Sequence, residues 1–404
     1  MTESDVPEKL DPDDGSPFSY TVSAGFAEAL ATLNATLWVS TYQAGKLAVF
    51  RSANGRVSML PRTFDKAMGF AVDQNSLAIA TRYQVWTLKN ETILAPRIHP
   101  EGKHDACYLP RSSHVTGNID AHEVAFGYDG IDSASATSTG KAQRSTVWVV
   151  NTLFSCLCTL DPDYSFVPRW RPTFVSRLIR QDRCHLNGLA MRDGQPGFVT
   201  CFAETDAFEG WREHKRDGGL LIDVPSGEIV ARGFSMPHSP RIHNGRLFVL
   251  DSGNGRLVTV DPRNGQVDIV AELPGYTRGM AFLGRYAFIG LSQIRETNIF
   301  GGIAIAERPE KRRCGVWVVD LSTGQGVGQI EFEKTIQEVF DVQVLPGIQH
   351  PAIVGFAKET IQRACIIGPE TPPGRLAAGL DQSTAVLPGN EERPQTSQSD
   401  DSRR

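Results

Sequence analysis

A short alternation returns six times along this chain: a small or polar residue, an apolar one, a variable one, then an apolar one again. The copies are Gly69-Phe70-Ala71-Val72, Glu123-Val124-Ala125-Phe126, Gly188-Leu189-Ala190-Met191, Ser239-Pro240-Arg241-Ile242, Gly279-Met280-Ala281-Phe282 and Asp341-Val342-Gln343-Val344. A β-rich run follows each: SLAIAT (76–81), TVWVVNT (146–152), GFVTCF (197–202), RLFVLDSG (246–253), RYAFIGLS (285–292) and PAIVGFA (351–357). Such alternation followed by a second apolar run predicts adjacent strands. Third runs recur too, and three of them carry the turns PSG, PRNG or STG, which supply the positive φ of a tight hairpin. Strand repeats of this length predict an all-β chain forming a single β-propeller, one repeat per blade. The opening alternation counts six blades. Second strands, with LWVSTY (37–42) included, count seven; seven is favoured, with the N-terminal strands closing the ring. AGFAEALATLNAT (24–36) predicts a short helix ahead of it.

The pattern stops at both ends. Residues 1–18 and 370–404 are polar and almost free of aromatics, so both are expected to be disordered, leaving 19–369 for the propeller. GYDGIDSASATSTGKAQR (127–144) reads as a surface insertion between the first two strands of its blade. The formal net charge of −5 sits at the ends: residues 1–18 carry −5 and 370–404 carry −2, which leaves the core near +2. A nearly neutral core without a basic stripe argues against a nucleic-acid partner. No apolar run approaches the ~18 residues of a membrane span. The acidic start lacks a secretory h-region, and seven irregularly spaced cysteines suit reduced thiols, so a cytoplasmic location is expected.

Inner strands of a propeller begin around one mouth of the central channel. The residues just before each alternation, Met68, His122, Asn187, His238, Arg278 and Phe340, are therefore expected to converge there. His122, His185 and His238 come from three successive repeats and are the candidate ligands of one divalent metal, Zn²⁺, Cu²⁺, Fe²⁺ or Mn²⁺, or else hydrogen-bonded residues of a polar channel. Arg278 offers a planar fork for a carboxylate or phosphate, or an inter-blade ion pair. Glu338 is the candidate base, with His185 and Arg278 as catalytic partners, and Arg278, Asn187, Arg111 and Arg241 are the candidate substrate-binding residues. Two long segments, 104–122 and 293–313, are expected to supply a cover for the mouth. WREHKR (211–216) reads as a solvated loop.

The strings STYQAGKL (40–47), DRCHLNGLAM (182–191), MPHSPRIHNGRLFVLDSG (236–253) and TRGMAFLGRYAFIGLS (277–292) resemble an uncharacterised bacterial family, the domain of unknown function numbered 4915, over roughly residues 24–369. That resemblance implies propeller-like repeats and no settled activity. The layout is also similar to propeller lyases such as streptogramin lyase and the peptidyl-hydroxyglycine lyase, which implies histidines at the mouth by fold analogy alone. Two functions are consistent with this reading. One is an enzyme that eliminates, isomerises or hydrolyses a small or peptide-like polar substrate at the mouth. The other is a non-catalytic platform that binds a protein or ligand on a face.

Overall fold

A computed structural model describes residues 8–10, 18–53, 55–129, 144–293, 301–333, 335–355, 359–367 and 384–386. Most of the segments expected to be disordered, and residues 130–143 of the insertion, lie outside the described residues. Among the described residues the alternating runs form six sheets of four or more strands, antiparallel but for one added edge strand, arranged as a propeller. Blade two runs outward from Phe70–Val72, blade three from Ala121–Asp129, blade four from Leu186–Arg192, blade five from His238–His243 and blade six from Tyr276–Leu283. Blade one takes its inner strand, Asp341–Pro346, from the far end of the chain, and its other three strands are Ala35–Thr41, Lys46–Ala53 and Arg56–Thr63.

This closure corrects the expectation of seven blades. Asp341–Pro346 already pairs with Ala35–Thr41, from Asp341 opposite Ser40 to Pro346 opposite Ala35. LWVSTY is therefore the second strand of the sixth repeat. PAIVGFA, left without an inner strand to pair with, adds Pro351–Ile353 in parallel to the outer edge of blade two instead. The expected helix forms at Ala24–Thr32, capped by the Ser23 hydroxyl, which accepts from Phe26 N–H (3.4 Å).

Successive side chains of a strand point to opposite faces, and here both faces are covered by neighbouring blades. Leu37 and Val39 enter the seam between blades six and one, while Trp38 between them enters the seam between blades one and two. Ala35–Thr41, Ser76–Ala80 and Gly315–Asp320 are buried along their whole length, which is why their centres read as consecutive apolar residues rather than as an alternation.

The inner strands crowd at the axis, and the first residue of the alternation solves the crowding in two ways. In blades two, four and six it is Gly69, Gly188 or Gly279. A methyl group there would lie 2.5 Å from His122 O, 2.4 Å from Pro240 Cδ or 2.7 Å from Asp341 Cα, all in the next blade. In blades one, three and five it is Asp341, Glu123 or Ser239, and each side chain reaches the next blade's backbone. Phe70 N–H donates to Asp341 Oδ2 (3.2 Å), Leu189 N–H to Glu123, and Gly279 N–H to Ser239 Oγ (3.1 Å). The ring thus repeats in three pairs of blades.

Arg241, from blade five, ties this layer together. Its Nη2 lies 2.6 Å from Glu123 Oε1 and 3.8 Å from Asp341 Oδ1, and its Nη1 donates to Leu189 O (3.1 Å). Burial raises both carboxyls, Asp341 to about 7 with the Glu123 charge adding to it, while Arg241 works against both shifts. No helix among the described residues is long and apolar enough to cross a membrane.

Candidate functional site

Two positions, two residues apart, supply most of one end of the channel. The nearer set is the expected one, and His122, His238, Arg278 and Phe340 line a cavity of about 360 Å³ there. The farther set, Asp120, His185, Met236, Tyr276 and Glu338, lines it too. Exits of second strands add Tyr42, Leu153, Phe202 and Gln293. His185 belongs to the farther set, and like Asp120 and Met236 it has a left-handed backbone (φ 51°). Non-glycine residues seldom adopt that conformation, and it turns the chain sharply into the inner strand.

All three histidines are held from behind through Nδ1. His122 Nδ1 faces Asp120 O (3.0 Å) and Thr152 Oγ1 (2.9 Å), and that hydroxyl in turn donates to Leu186 O (2.6 Å). His238 Nδ1 faces Met236 O (3.0 Å) and Ser252 Oγ (3.0 Å), which donates to Leu250 O (3.4 Å). Each Nδ1 faces only acceptors, so it carries the hydrogen and Nε2 keeps its lone pair. His185 Nδ1 lies 2.8 Å from Asp182 Oδ2, which also accepts from Trp211 Nε1–H (2.8 Å). Burial, reinforced by Arg278, keeps two of the rings neutral: it pushes His122 down to about 3, where Asp120 opposes it, and His238 well below its ordinary value. Burial alone would raise the Asp120 carboxyl, but His122, His185, Arg278 and Lys66 outweigh it and leave it lowered.

The rings form a continuous aromatic wall. His122 meets His185 edge to face (4.8 Å between centroids), and His185 stacks on Phe202 (4.3 Å) and touches Trp211 (4.6 Å). Phe202 also packs on His238 (5.2 Å), and His238 on Tyr276 (5.7 Å). Across the cavity the Arg278 guanidinium lies 3.6 Å from the centre of the Phe340 ring, and its Nη2 is buried without a hydrogen-bond partner. Arg212, which lies over Trp211, is held by Glu209 (2.6 Å).

The structure brings His122, His185, His238, Arg278 and Glu338 to one cavity and moves the other candidates elsewhere. Arg241 is spent on Glu123 and Asp341 within the channel. Asn187 is buried and accepts from the Thr200 hydroxyl (2.6 Å). Arg111 pairs with Glu91 on the outermost antiparallel strand of blade two, away from the mouth. None of these three lines the cavity, so their expected substrate contacts are corrected. Among the described residues, no group of three or more His, Cys, Asp or Glu side chains is arranged to hold a metal ion, and Phe202 packs against both His185 and His238. Of the segments expected to cover the mouth, residues 294–300 lie outside the described residues; residues 106–115 form a strand, while Asp120, His122 and Gln293 line the cavity, to which the segment around Gly210–His214 adds Glu209, Trp211 and Arg212. Trp211, expected in a solvated loop, is buried against Ile303 and Ile305. The only sequence signal for it was a large aromatic in an otherwise charged string.

Among solved structures the chain is similar to one from the crystal structure of a nidogen/laminin complex, at 11% identity over 77% of this chain and 98% of that one, with a TM-score of 0.47. It is similar to the same extent, 11% over 77% and 98%, to a protein of unknown function from Bacteroides caccae, with a TM-score of 0.46. No curated protein matches the chain. The family described as Domain of unknown function (DUF4915) matches residues 24–354.

Proposed function

The chain belongs to the DUF4915 family, and from the cavity at its channel mouth we propose an enzyme that moves a proton on a small anionic substrate, in an elimination or an isomerisation. One observation carries this reading. His185, backed by Asp182 at 2.8 Å, shares its cavity with Arg278, a cation whose Nη2 is buried and unpartnered. The Asp182 carboxylate fixes the ring and stabilises the imidazolium that forms when Nε2 takes a proton. Arg278 holds the substrate's carboxylate and stabilises the charge that builds on it as the adjacent C–H bond breaks. In an elimination, the proton passes to His185 Nε2 and its electron pair forms the C=C bond. The β-oxygen substituent then leaves with the proton returned by the imidazolium. His122 and His238, held neutral, orient the substrate and do not compete for that proton.

The test is exchange in D₂O. Wild type and the variants His185→Gln, Arg278→Lys and Arg278→Ala are incubated with a panel of small 2- and 3-hydroxy carboxylates, and ¹H NMR reads deuterium entry beside the carboxylate. Wild type exchanges or transforms at least one compound. His185→Gln slows this at least 100-fold while leaving binding within about threefold, because general acid–base groups contribute roughly 10²–10⁴-fold. Arg278→Lys weakens binding about tenfold, since the charge remains and the fork does not. Exchange that persists in His185→Gln, or binding indifferent to both Arg278 variants, overturns the reading.

A further inference from the structure

We infer that the substrate is a hydroxylated carboxylate of monosaccharide size, a sugar acid, whose hydroxyls donate to Nε2 of His122 and His238 while its carboxylate meets Arg278. This rests on the anionic-substrate reading above and narrows it.

Three features of the cavity select this class. The first is the hydrogen-bond character of its walls. His122 and His238 each present an Nε2 lone pair, because Nδ1–H is committed to Asp120 O and Thr152 Oγ1 in one case and to Met236 O and Ser252 Oγ in the other. Burial keeps both rings neutral, so they can accept and cannot donate from Nε2. Asp120 adds a carboxylate on the same side. A plain carboxylate would leave these acceptors unmatched, and an unmatched buried polar atom costs about 1–3 kcal/mol. A substrate bearing several O–H groups satisfies them.

The second feature is flatness. Phe202, Trp211, Tyr276 and Phe340 line the cavity alongside the imidazoles. Such faces pack against the C–H side of a ring while its edge makes hydrogen bonds. The third is size and depth. A volume of about 360 Å³ lies at the small end of the ~300–1,000 Å³ typical of ligand pockets. Farther along the inner strands, Glu123, Arg241 and Asp341 link three blades across the axis. A cup with such a floor admits a single unit and gives a longer polymer no way through.

Isothermal titration tests the inference with D-glucuronate, D-galacturonate and D-gluconate, beside cyclohexanecarboxylate, which lacks hydroxyls, glucose, which lacks the carboxylate, and serine. Wild type, Arg278→Ala, His122→Leu, His238→Leu and the acceptor-retaining His122→Gln and His238→Gln are compared, with melting curves to confirm that each is folded. At least one sugar acid is expected to bind ten times tighter than cyclohexanecarboxylate, glucose or serine. Each leucine variant should lose about tenfold for that sugar acid and nothing for cyclohexanecarboxylate, and the glutamine variants should recover part of the loss. Cyclohexanecarboxylate binding as tightly as the sugar acids, with the leucine variants silent, overturns the inference and leaves the anionic-substrate reading standing. Sugar-acid binding that survives Arg278→Ala overturns both. Serine binding best, or no sugar acid binding at all, overturns the inference.

Discussion

His122 and Asp341 are both buried on inner strands, yet their proton equilibria pull the stability of the fold in opposite directions. The folded chain refuses a proton at His122 until about pH 3, whereas the unfolded chain accepts one near ~6.5. Stability from this residue is therefore full above ~6.5 and is lost as pH falls toward 3. Asp341 keeps its proton up to about pH 7 in the fold and only to about 4 when unfolded, so its contribution is full below ~4 and is lost as pH rises to 7. Melting temperatures from pH 4 to 8 should separate the two. His122→Gln is expected to flatten the acid limb of the wild-type profile, and Asp341→Asn to remove the decline between pH 4 and 7. Profiles parallel to wild type would refute both assignments. Alternation in the sequence was enough to place His122, His238, Arg278 and Phe340 at the mouth. Asp120, Tyr276 and Met236 stand two residues earlier, before the recognisable pattern starts, and were not legible. Arg241 was legible as an inner-strand arginine, but its partners, Glu123 and Asp341, lie 118 and 100 residues away in sequence.

At the scale of the element, the inner strand shows what its first residue is for. Gly69 has an ordinary backbone conformation, so an alanine there would suffer only from contact, with backbone atoms of blade three at 2.5 and 2.8 Å. Those atoms are backbone, in the short irregularity between Ala121 and Val124 that is anchored by cross-strand pairing on both sides, so they have little room to step aside. Gly69→Ala is expected to cost about 1–3 kcal/mol, the range of core overpacking, and to lower the melting temperature accordingly. Gly326, on an exposed strand of blade six with nothing within 4 Å of the added methyl, is the control, and Gly326→Ala should change stability by less than about 0.5 kcal/mol. Equal effects at the two sites would refute the crowding argument. The six strand openings and the hairpin turns were readable because burial on both faces forces local composition. The destination of PAIVGFA was not, since it depends on Asp341–Pro346 having already found Ala35–Thr41.

For the whole molecule, six apolar seams and one pairing between remote segments make a ring that should resist attack as a unit. We expect limited proteolysis to trim residues before about 18 and after about 370 and to leave a core that still melts in one transition. A stable cut near residue 180 that releases two separately folding halves would contradict this. The pairing of Asp341–Pro346 with Ala35–Thr41 also imposes an order on synthesis. Ala35–Thr41 leaves the ribosome early and can pair at once with Lys46–Ala53, but its other edge must wait for a partner made about 300 residues later, so a nascent chain carries an open strand edge for most of its translation. Until the last repeat emerges, Phe340 and Glu338 have no place beside Arg278 and the three histidines. The cavity is therefore completed abruptly, with the final tenth of the described ring, and a chain stalled before that point carries an open strand edge and an unfinished mouth.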